Sequence, residues 1–246
     1  MRSALLYASG AFGFNLLFQS ISLWLVFFYA PPPDSARSTI VPLAVLGLIM
    51  GIGRVLDAFD DPAIGHWSDS TRSRWGRRLP FIVAGAPFAA LLFAAIWNPP
   101  ALVMPWIAVY AFVVLQLYSV LSTIVHQPYE AALAELSRDS RGRLRLSGWK
   151  VFFGVCGAAV GLVGSGRVIE RFGFGGMGVL FAAMAGGSIL LSALGLRALP
   201  AGGEAPVRLP LREALRLTAT NPQFLVFVCS EVAFSLALAL LTALIP

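Results

Sequence analysis

Acidic residues interrupt an otherwise apolar stretch in the first quarter of the chain. Asp57, Asp60 and Asp61 follow Arg54 within two turns of helix. Residues four apart share one face of an α-helix, so Asp57 and Asp61 can present two carboxylates to one internal cavity. Carboxylate oxygens bind a hard cation such as Na⁺, and crowded carboxylates in a low dielectric can instead hold a proton. The alternative is a helix-end cluster in water, and the pattern favours ion coupling.

Two other polar groups could form hydrogen bonds with a substrate. His126, Tyr129 and Glu130 lie at the end of a later apolar stretch, and Asn15 and Gln19 lie four residues apart on the first one. Packing inside the protein is the alternative role for these side chains. The sequence has no His-Glu-x-x-His motif and too few ligands for an intramembrane metalloprotease. We therefore expect no catalytic residue, no cofactor, and no metal ion other than Na⁺.

The composition indicates that a lipid bilayer is one of the solvents of this chain. Of its 246 residues, 58% are hydrophobic and 12% are charged, and the mean hydropathy is +0.79. A soluble domain carries about 25% charged residues, so soluble enzymes and disordered proteins are excluded. Seven apolar stretches have about the length of a transmembrane helix. They are Leu5–Tyr29, Ile40–Phe59, Leu79–Trp97, Leu102–Ile124 (with helix continuing toward Leu136), Val151–Gly166, Gly176–Leu196 and Phe224–Ile245.

The distribution of basic residues predicts the orientation. With the N-terminus in the cytoplasm, fourteen of the 18 Lys and Arg residues, Lys150 among them, lie in cytoplasmic segments and three lie outside. Basic residues accumulate on the cytoplasmic side of membranes. We therefore expect a multi-pass protein of the plasma membrane, the inner membrane in a bacterium. The net charge of +6 is explained by these loops, so no nucleic-acid partner is expected.

The order of these stretches predicts an all-α membrane protein with two parts. Residues 1–196 form a six-helix bundle, and residues 197–222 form a cytoplasmic linker that includes a short helix over Leu211–Leu217. Residues 223–246 loosely resemble the first stretch and are predicted to be the first helix of a second bundle. Parallel repeats of this kind occur in transporters. We expect the rest of the C-terminal half to belong to the complete protein.

Glycine runs predict two places of close helix packing. Gly47, Gly51 and Gly53 suggest that the second stretch contacts a neighbouring helix closely, because small residues allow backbones to approach. The run of glycines from Gly154 to Gly164 suggests the same for the fifth stretch, with a structural role.

Four motifs carry a resemblance to a known family. The loop GHWSDSTRSRWGRR at 65–78 resembles the cytoplasmic loop motif of the major facilitator superfamily. YASGAFG at 7–13, RVLDAFDDP at 54–62 and QPYEAALAEL at 127–136 resemble the glycoside–pentoside–hexuronide:cation symporters, and the loop is also similar to that of sucrose–proton symporters. The resemblance covers the first four stretches. It implies a gating latch at the cytoplasmic face formed by Gly65, Asp69, Gly76, Arg77 and Arg78.

The same resemblance assigns residues to a cation site and a substrate site. Asp57 and Asp61 match the two cation-ligand aspartates of the family, Asp60 falls on an asparagine ligand, and Thr123 falls on a threonine ligand. Asn15 and His126 stand where the family binds sugar hydroxyls through aspartates. Glu130 replaces a tryptophan that stacks on the sugar. The sugar positions thus depart from the family pattern, whereas the cation positions follow it.

The resemblance implies secondary active transport by alternating access. The expected reaction is symport of a sugar or glycoside with Na⁺ or H⁺, with the small-molecule substrate and the lipid bilayer as partners. Two alternatives stay open: a transporter of the same fold for a lipid or drug-like substrate, and a fragment that does not transport.

Overall fold

A computed structural model describes residues 2–35, 37–71, 73–136, 140–197 and 211–244. Within these ranges the chain is helical and has no β-strand, which confirms the predicted all-α fold class. The helices are α1 (Arg2–Ala8), α2 (Gly10–Tyr29), α3 (Leu43–Ser70), α4 (Leu79–Ile96), α5 (Trp106–Leu136), α6 (Ser140–Ala159), α7 (Ser165–Arg197), α8 (Leu211–Thr220) and α9 (Pro222–Leu244), with a π-helical turn (Val160–Gly164) between α6 and α7.

Four described helical stretches are long and apolar enough to cross a membrane. They are Arg2–Tyr29, Leu79–Ile96, Trp106–Leu133 and Arg141–Arg197. The last is 57 residues long, more than twice the ~20 residues that one span needs. Gly173, with φ of 71°, divides it at a backbone conformation that favours glycine. This stretch therefore contains both the predicted fifth and sixth spans.

The boundaries of the predicted stretches differ from those of the helices. Helix α6, which contains the first part of the predicted fifth stretch, begins at Ser140, eleven residues before Val151, because a polar basic segment continues the helix at its start. The predicted second stretch ends at Phe59, whereas α3 runs through its acidic residues and past Pro62 to Ser70. Its charges keep α3 out of the four apolar stretches, although it is 28 residues long.

Close packing by glycine is found at Gly157 and at Gly53, where a Cβ would lie 3.4 Å from Gln116 Oε1 on α5, but not at Gly47 and Gly51. A Cβ on Gly157 would overlap the carbonyl group of Phe12, so α2 and α6 approach each other at backbone distance. At Gly47 and Gly51, by contrast, no described heavy atom lies within 4 Å of where a Cβ would be. The expectation of close contact at these two residues was wrong in the described part of the chain. They border a shallow apolar groove on α3.

The described chain divides into two compact units, Met1–Glu204 and Ala205–Pro246. In the first unit, one apolar core includes Trp97, Phe93 and Phe181, and a second core includes Tyr7, Tyr129 and the apolar residues around them. In the second unit, the predicted short helix is present as α8 and extends to Thr220.

Candidate functional site

Helices α3 and α5 run side by side in the same direction, and hydrogen bonds join them at two levels. The Ser119 hydroxyl donates to Asp57 Oδ1 at 2.6 Å, and the Thr123 hydroxyl donates to Asp61 Oδ1 at 3.2 Å. Each pair is separated by 62 residues, so the two levels lie one helical turn apart in a parallel register. Both aspartates therefore face α5, as their i, i+4 spacing predicts.

A cavity of about 630 Å³ opens beside these two pairs. Of the sequence-predicted residues, it is lined by Asn15 from α2, Asp57 and Asp61 from α3, and Thr123 and His126 from α5. Gln116, Ser119 and Arg54 contribute further polar walls, and aromatic side chains such as Phe14 and Phe18 contribute apolar ones. The structure therefore brings five predicted site residues to one cavity.

Four other predicted site residues are not among the described residues that line this cavity: Gln19, Asp60, Tyr129 and Glu130. The Cβ of Gln19 instead lies beside Gly161, where α2 meets the π-helical turn. Tyr129 is fully buried in the second core. Asp60 is half-buried on α3.

The aspartates of the cavity have neutral partners in the described part of the chain. Ion pairs there within 4 Å involve Glu130, and none joins Arg54 to Asp57 or Asp61. The same residues contain no group of three or more His, Cys, Asp or Glu side chains placed to hold a metal ion. The two pairs thus give this cavity two carboxylates and two hydroxyl groups, whose oxygen atoms are ligands that hard cations prefer.

Glu130 belongs to a second charged cluster, two turns beyond Thr123 on α5. Lys150 Nζ on α6 lies 2.7 Å from one carboxylate oxygen, and His126 Nε2 lies 3.5 Å from the other. Lys150 is only 9% exposed and lies 4.7 Å from the ring centroid of Tyr129 and 5.9 Å from that of Tyr7. The two tyrosine rings stack with centroids 4.8 Å apart.

Sequence reasoning missed Ser119 and Lys150. Ser119 stands four residues before Thr123, the same spacing as Asp57 and Asp61, and this repeated spacing is the signal that could have found it. Lys150 was counted only among the cytoplasmic charges, and the structure shows that it is buried and paired with Glu130. Only the packing of α6 against α5 reveals that contact.

The predicted gating loop follows the end of α3. Gly76 has φ of +87° and its N–H donates to the Ser73 carbonyl, so a tight turn leads into Arg77 and Arg78. Gly65 lies inside α3, where a Cβ would be 3.5 Å from Gln127 Oε1 on α5. The side chain of Asp69 lies outside the described residues.

Comparison with known proteins connects this arrangement to transporters. The family described as MFS/sugar transport protein matches residues 6–246 of the chain. An uncharacterized symporter of Synechocystis is 32% identical over 207 residues, which make up 78% of this chain and 37% of that protein.

Two other relatives carry substrate names. The isoprimeverose transporter of Lactiplantibacillus pentosus is 30% identical over 158 residues, covering 63% of this chain and 31% of that protein. The sodium-dependent lysophosphatidylcholine symporter 1 of Xenopus tropicalis is 31% identical over 132 residues, covering 53% of this chain and 25% of that protein. The matched part of the chain thus spans between a quarter and two fifths of the length of these three relatives.

Proposed function

Because the chain belongs to the MFS/sugar transport protein family, we propose that it forms the N-terminal part of a cation-coupled symporter. It is an integral membrane protein whose relatives are transporters. In our proposal, residues 1–196 are the N-terminal bundle, 197–222 the linker, and 223–246 the first helix of the second bundle. The N-terminus lies in the cytoplasm, and in a bacterium the membrane is the inner one.

The observation that supports symport best is the pair of carboxylate–hydroxyl contacts between α3 and α5. Asp57 and Asp61 line the same cavity as Asn15 and His126. We assign the cation to the aspartates and Thr123, with Asp60 as a nearby acid, and the substrate to Asn15 and His126. A cation held there compensates one of the two negative charges and so reduces the repulsion between the carboxylates, which stabilises the state that binds substrate. By linkage, substrate then raises the affinity for the cation by the same factor.

The proposed substrate is a sugar or glycoside, and the proposed coupling ion is Na⁺. The isoprimeverose transporter supports the sugar. The sodium-dependent lysophosphatidylcholine symporter supports Na⁺ as the ion, and the carboxylate and hydroxyl oxygens are ligands of the kind that a hard cation binds. In this proposal, Gln19, Tyr129 and Glu130 affect substrate binding indirectly, because they support the helices that form the cavity walls. Gly65, Asp69, Gly76, Arg77 and Arg78 form the cytoplasmic latch of alternating access.

A lysophospholipid is the second candidate substrate, and one relative favours it directly. The sodium-dependent lysophosphatidylcholine symporter matches 53% of the chain. The cavity wall also includes Phe14, Phe18 and Ile21, which suit an acyl chain as well as a sugar ring. Both candidate substrates are compatible with the same cation site. The identity of the substrate and the identity of the ion therefore need separate experiments.

The experiment is uptake by the complete protein in proteoliposomes. A panel of labelled xylosides, other glycosides and lysophosphatidylcholine is tested under an inward Na⁺ gradient and, separately, an inward H⁺ gradient. We expect accumulation of a glycoside driven by Na⁺. Accumulation of lysophosphatidylcholine alone would show that the substrate is a lysophospholipid and not a glycoside, and it would still support symport. Equal uptake with and without either gradient would contradict cation coupling.

A further inference from the structure

We propose that Ser119 is a ligand of the coupling cation, equivalent to Thr123, so that the site consists of two carboxylate–hydroxyl pairs stacked one turn apart. This inference rests on the proposed function and deepens it. The resemblance to known symporters points to Asp57, Asp60, Asp61 and Thr123 and is silent on Ser119, which enters only through the geometry of α3 and α5.

The geometry treats the two hydroxyl groups alike. Ser119 and Thr123 are four residues apart on α5, and each contacts an aspartate that is 62 residues earlier, on α3. The contact of Ser119 is the shorter one, 2.6 Å against 3.2 Å. Both hydroxyl-bearing residues line the cavity beside their aspartates. A cation between α3 and α5 therefore lies within reach of both pairs.

The chemistry of a hydroxyl group explains how Ser119 can interact favourably in both the cation-free and the cation-bound state. Its hydrogen rotates freely, and its oxygen also carries two lone pairs. Without a cation, the hydroxyl donates to the carboxylate of Asp57, as in the structure, and stabilises its negative charge. When a cation arrives, the hydrogen turns away and a lone pair faces the ion. Ser119 thus replaces part of the hydration shell that a hard cation loses on binding.

A purely orienting role makes a different prediction. If Ser119 only positions the Asp57 carboxylate, a proton or Na⁺ binds to that carboxylate, and loss of the hydroxyl affects both ions alike. If the serine oxygen ligates the ion, its loss weakens Na⁺ binding, whereas proton binding is not weakened, because the proton loses no ligand and the Asp57 carboxylate loses a hydrogen bond that favoured its charged form. Comparison of the two ions therefore separates the two roles.

The test uses an isosteric pair of substitutions in the complete protein. Ser119→Thr keeps the hydroxyl group, and Ser119→Val introduces a side chain of the same shape as threonine but without the hydroxyl group. The measurement is the Na⁺ concentration that gives half-maximal substrate binding at fixed pH. We expect this concentration to rise about tenfold in Ser119→Val, as in Thr123→Val, because each loses a contact to a charged group. We expect Ser119→Thr to stay within about twofold of the wild type, since the contact is kept.

Ser122→Ala is the matched control. Ser122 lies on the same helix and lines the same cavity, and no described hydrogen bond joins it to Asp57 or Asp61. Its removal is expected to leave the Na⁺ dependence unchanged. A Ser119→Val protein that behaves like Ser122→Ala, while Thr123→Val loses Na⁺ affinity, would overturn the assignment of Ser119. A Ser119→Val protein that loses Na⁺ and H⁺ dependence equally would also overturn it, in favour of the orienting role.

The failure of the proposed function looks different. In that case the wild-type protein itself shows no dependence of substrate binding on Na⁺ or H⁺, and Asp57→Asn changes nothing. The Ser119 variants then match the wild type at every cation concentration, so the two failures are distinguishable.

Discussion

Helix α5 borders two regions in which negative charge is compensated in opposite ways. At Ser119 and Thr123, the facing carboxylates of Asp57 and Asp61 have hydroxyl partners and border a cavity. Two turns later, the carboxylate of Glu130 has a lysine partner at 2.7 Å. We call these the aspartate region and the Glu130 region. The first has room for a cation from solution, whereas the second has a cation of its own.

The difference shows how one bundle can contain two kinds of compensated carboxylate. One kind is paired with a cation of the chain, and the other can be paired with a cation from solution. A charged side chain in a bilayer is costly, and it stays only where a partner compensates it. Lys150, 9% exposed and surrounded by two tyrosine rings, compensates Glu130 permanently. In the aspartate region, a dissolved cation can fill the equivalent position. The proposed symport requires such an exchangeable cation, because an ion that crosses the membrane cannot be part of the chain.

The largest effect is expected in the aspartate region. Asp57→Asn removes one of the two negative charges but keeps the shape and the hydrogen-bonding contact with Ser119. We expect cation-dependent uptake by the complete protein to fall by about a hundredfold or more, since a cation loses its strongest ligand. Glu130→Gln is the matched control in the other region, because it also replaces one carboxylate by its amide, at a site where the partner is Lys150. If Glu130→Gln abolishes cation dependence and Asp57→Asn does not, the assignment of the two regions is reversed.

Lys150→Met tests the Glu130 region. The substitution leaves the Glu130 carboxylate with His126 alone, and we expect the free energy of unfolding in detergent to fall by about 2 kcal/mol. This value lies below that of a fully buried pair, because 46% of the Glu130 side chain is exposed. The Na⁺ concentration for half-maximal uptake is expected to stay the same. Lys150→Arg keeps the charge and serves as the control.

A double variant sharpens that result. If the loss in Lys150→Met comes from an unpaired carboxylate, then Lys150→Met combined with Glu130→Gln recovers most of the stability, since both charges are gone. Additive losses in the double variant would show that Lys150 stabilises the bundle through its contacts with Tyr7 and Tyr129 rather than through the ion pair.

His126→Ala tests the border between the two regions. His126 lines the cavity, and it also contacts Glu130 at 3.5 Å and the ring of Phe14 edge-on at 4.7 Å. We expect substrate affinity to fall about tenfold through the loss of one hydrogen bond and one ring contact, with a smaller change in cation affinity. Binding of substrate and of Na⁺ is measured separately on the same protein. An equal loss of both affinities would indicate a packing role.

Helical periodicity and apolar length gave structural predictions that agree with the described helices, because both depend on local sequence. The i, i+4 spacing placed Asp57 and Asp61 on one face of a helix, and the structure has both on the wall of one cavity. The apolar lengths predicted helices throughout the described chain. Both signals depend on a few neighbouring residues, and helical periodicity is enough to interpret them.

Contacts between residues on different helices could not be predicted from helical periodicity. The glycines at 47 and 51 have the same spacing as many packing motifs, yet their sides are open in the described structure, whereas Gly157 contacts the backbone of α2. Lys150 stands in a basic segment and resembles a loop charge, and its partner is 20 residues away on another helix. Which helix faces which residue depends on the register of packing, and a single sequence carries no direct record of it.

The smallest effect that we predict is Tyr7→Phe, and it tests whether the two regions are independent. The Tyr7 hydroxyl donates to the carbonyl oxygen of Tyr129 at 2.6 Å, and phenylalanine keeps the ring that stacks on Tyr129 and lies near Lys150. We expect a loss of about 1 kcal/mol in the free energy of unfolding, the value of one buried hydrogen bond.

Tyr129→Phe is the control for that prediction, because its hydroxyl makes longer contacts, 3.2 Å and 3.4 Å, to backbone carbonyls of Tyr7 and Ala8. It should cost less than Tyr7→Phe. Neither variant should change the Na⁺ concentration for half-maximal uptake, since neither hydroxyl reaches the cavity wall. A change in Na⁺ dependence without a change in stability would contradict this independence. It would mean that the packing of the two tyrosines affects the position of Thr123 on α5, so that the Glu130 region influences the cation affinity of the aspartate region.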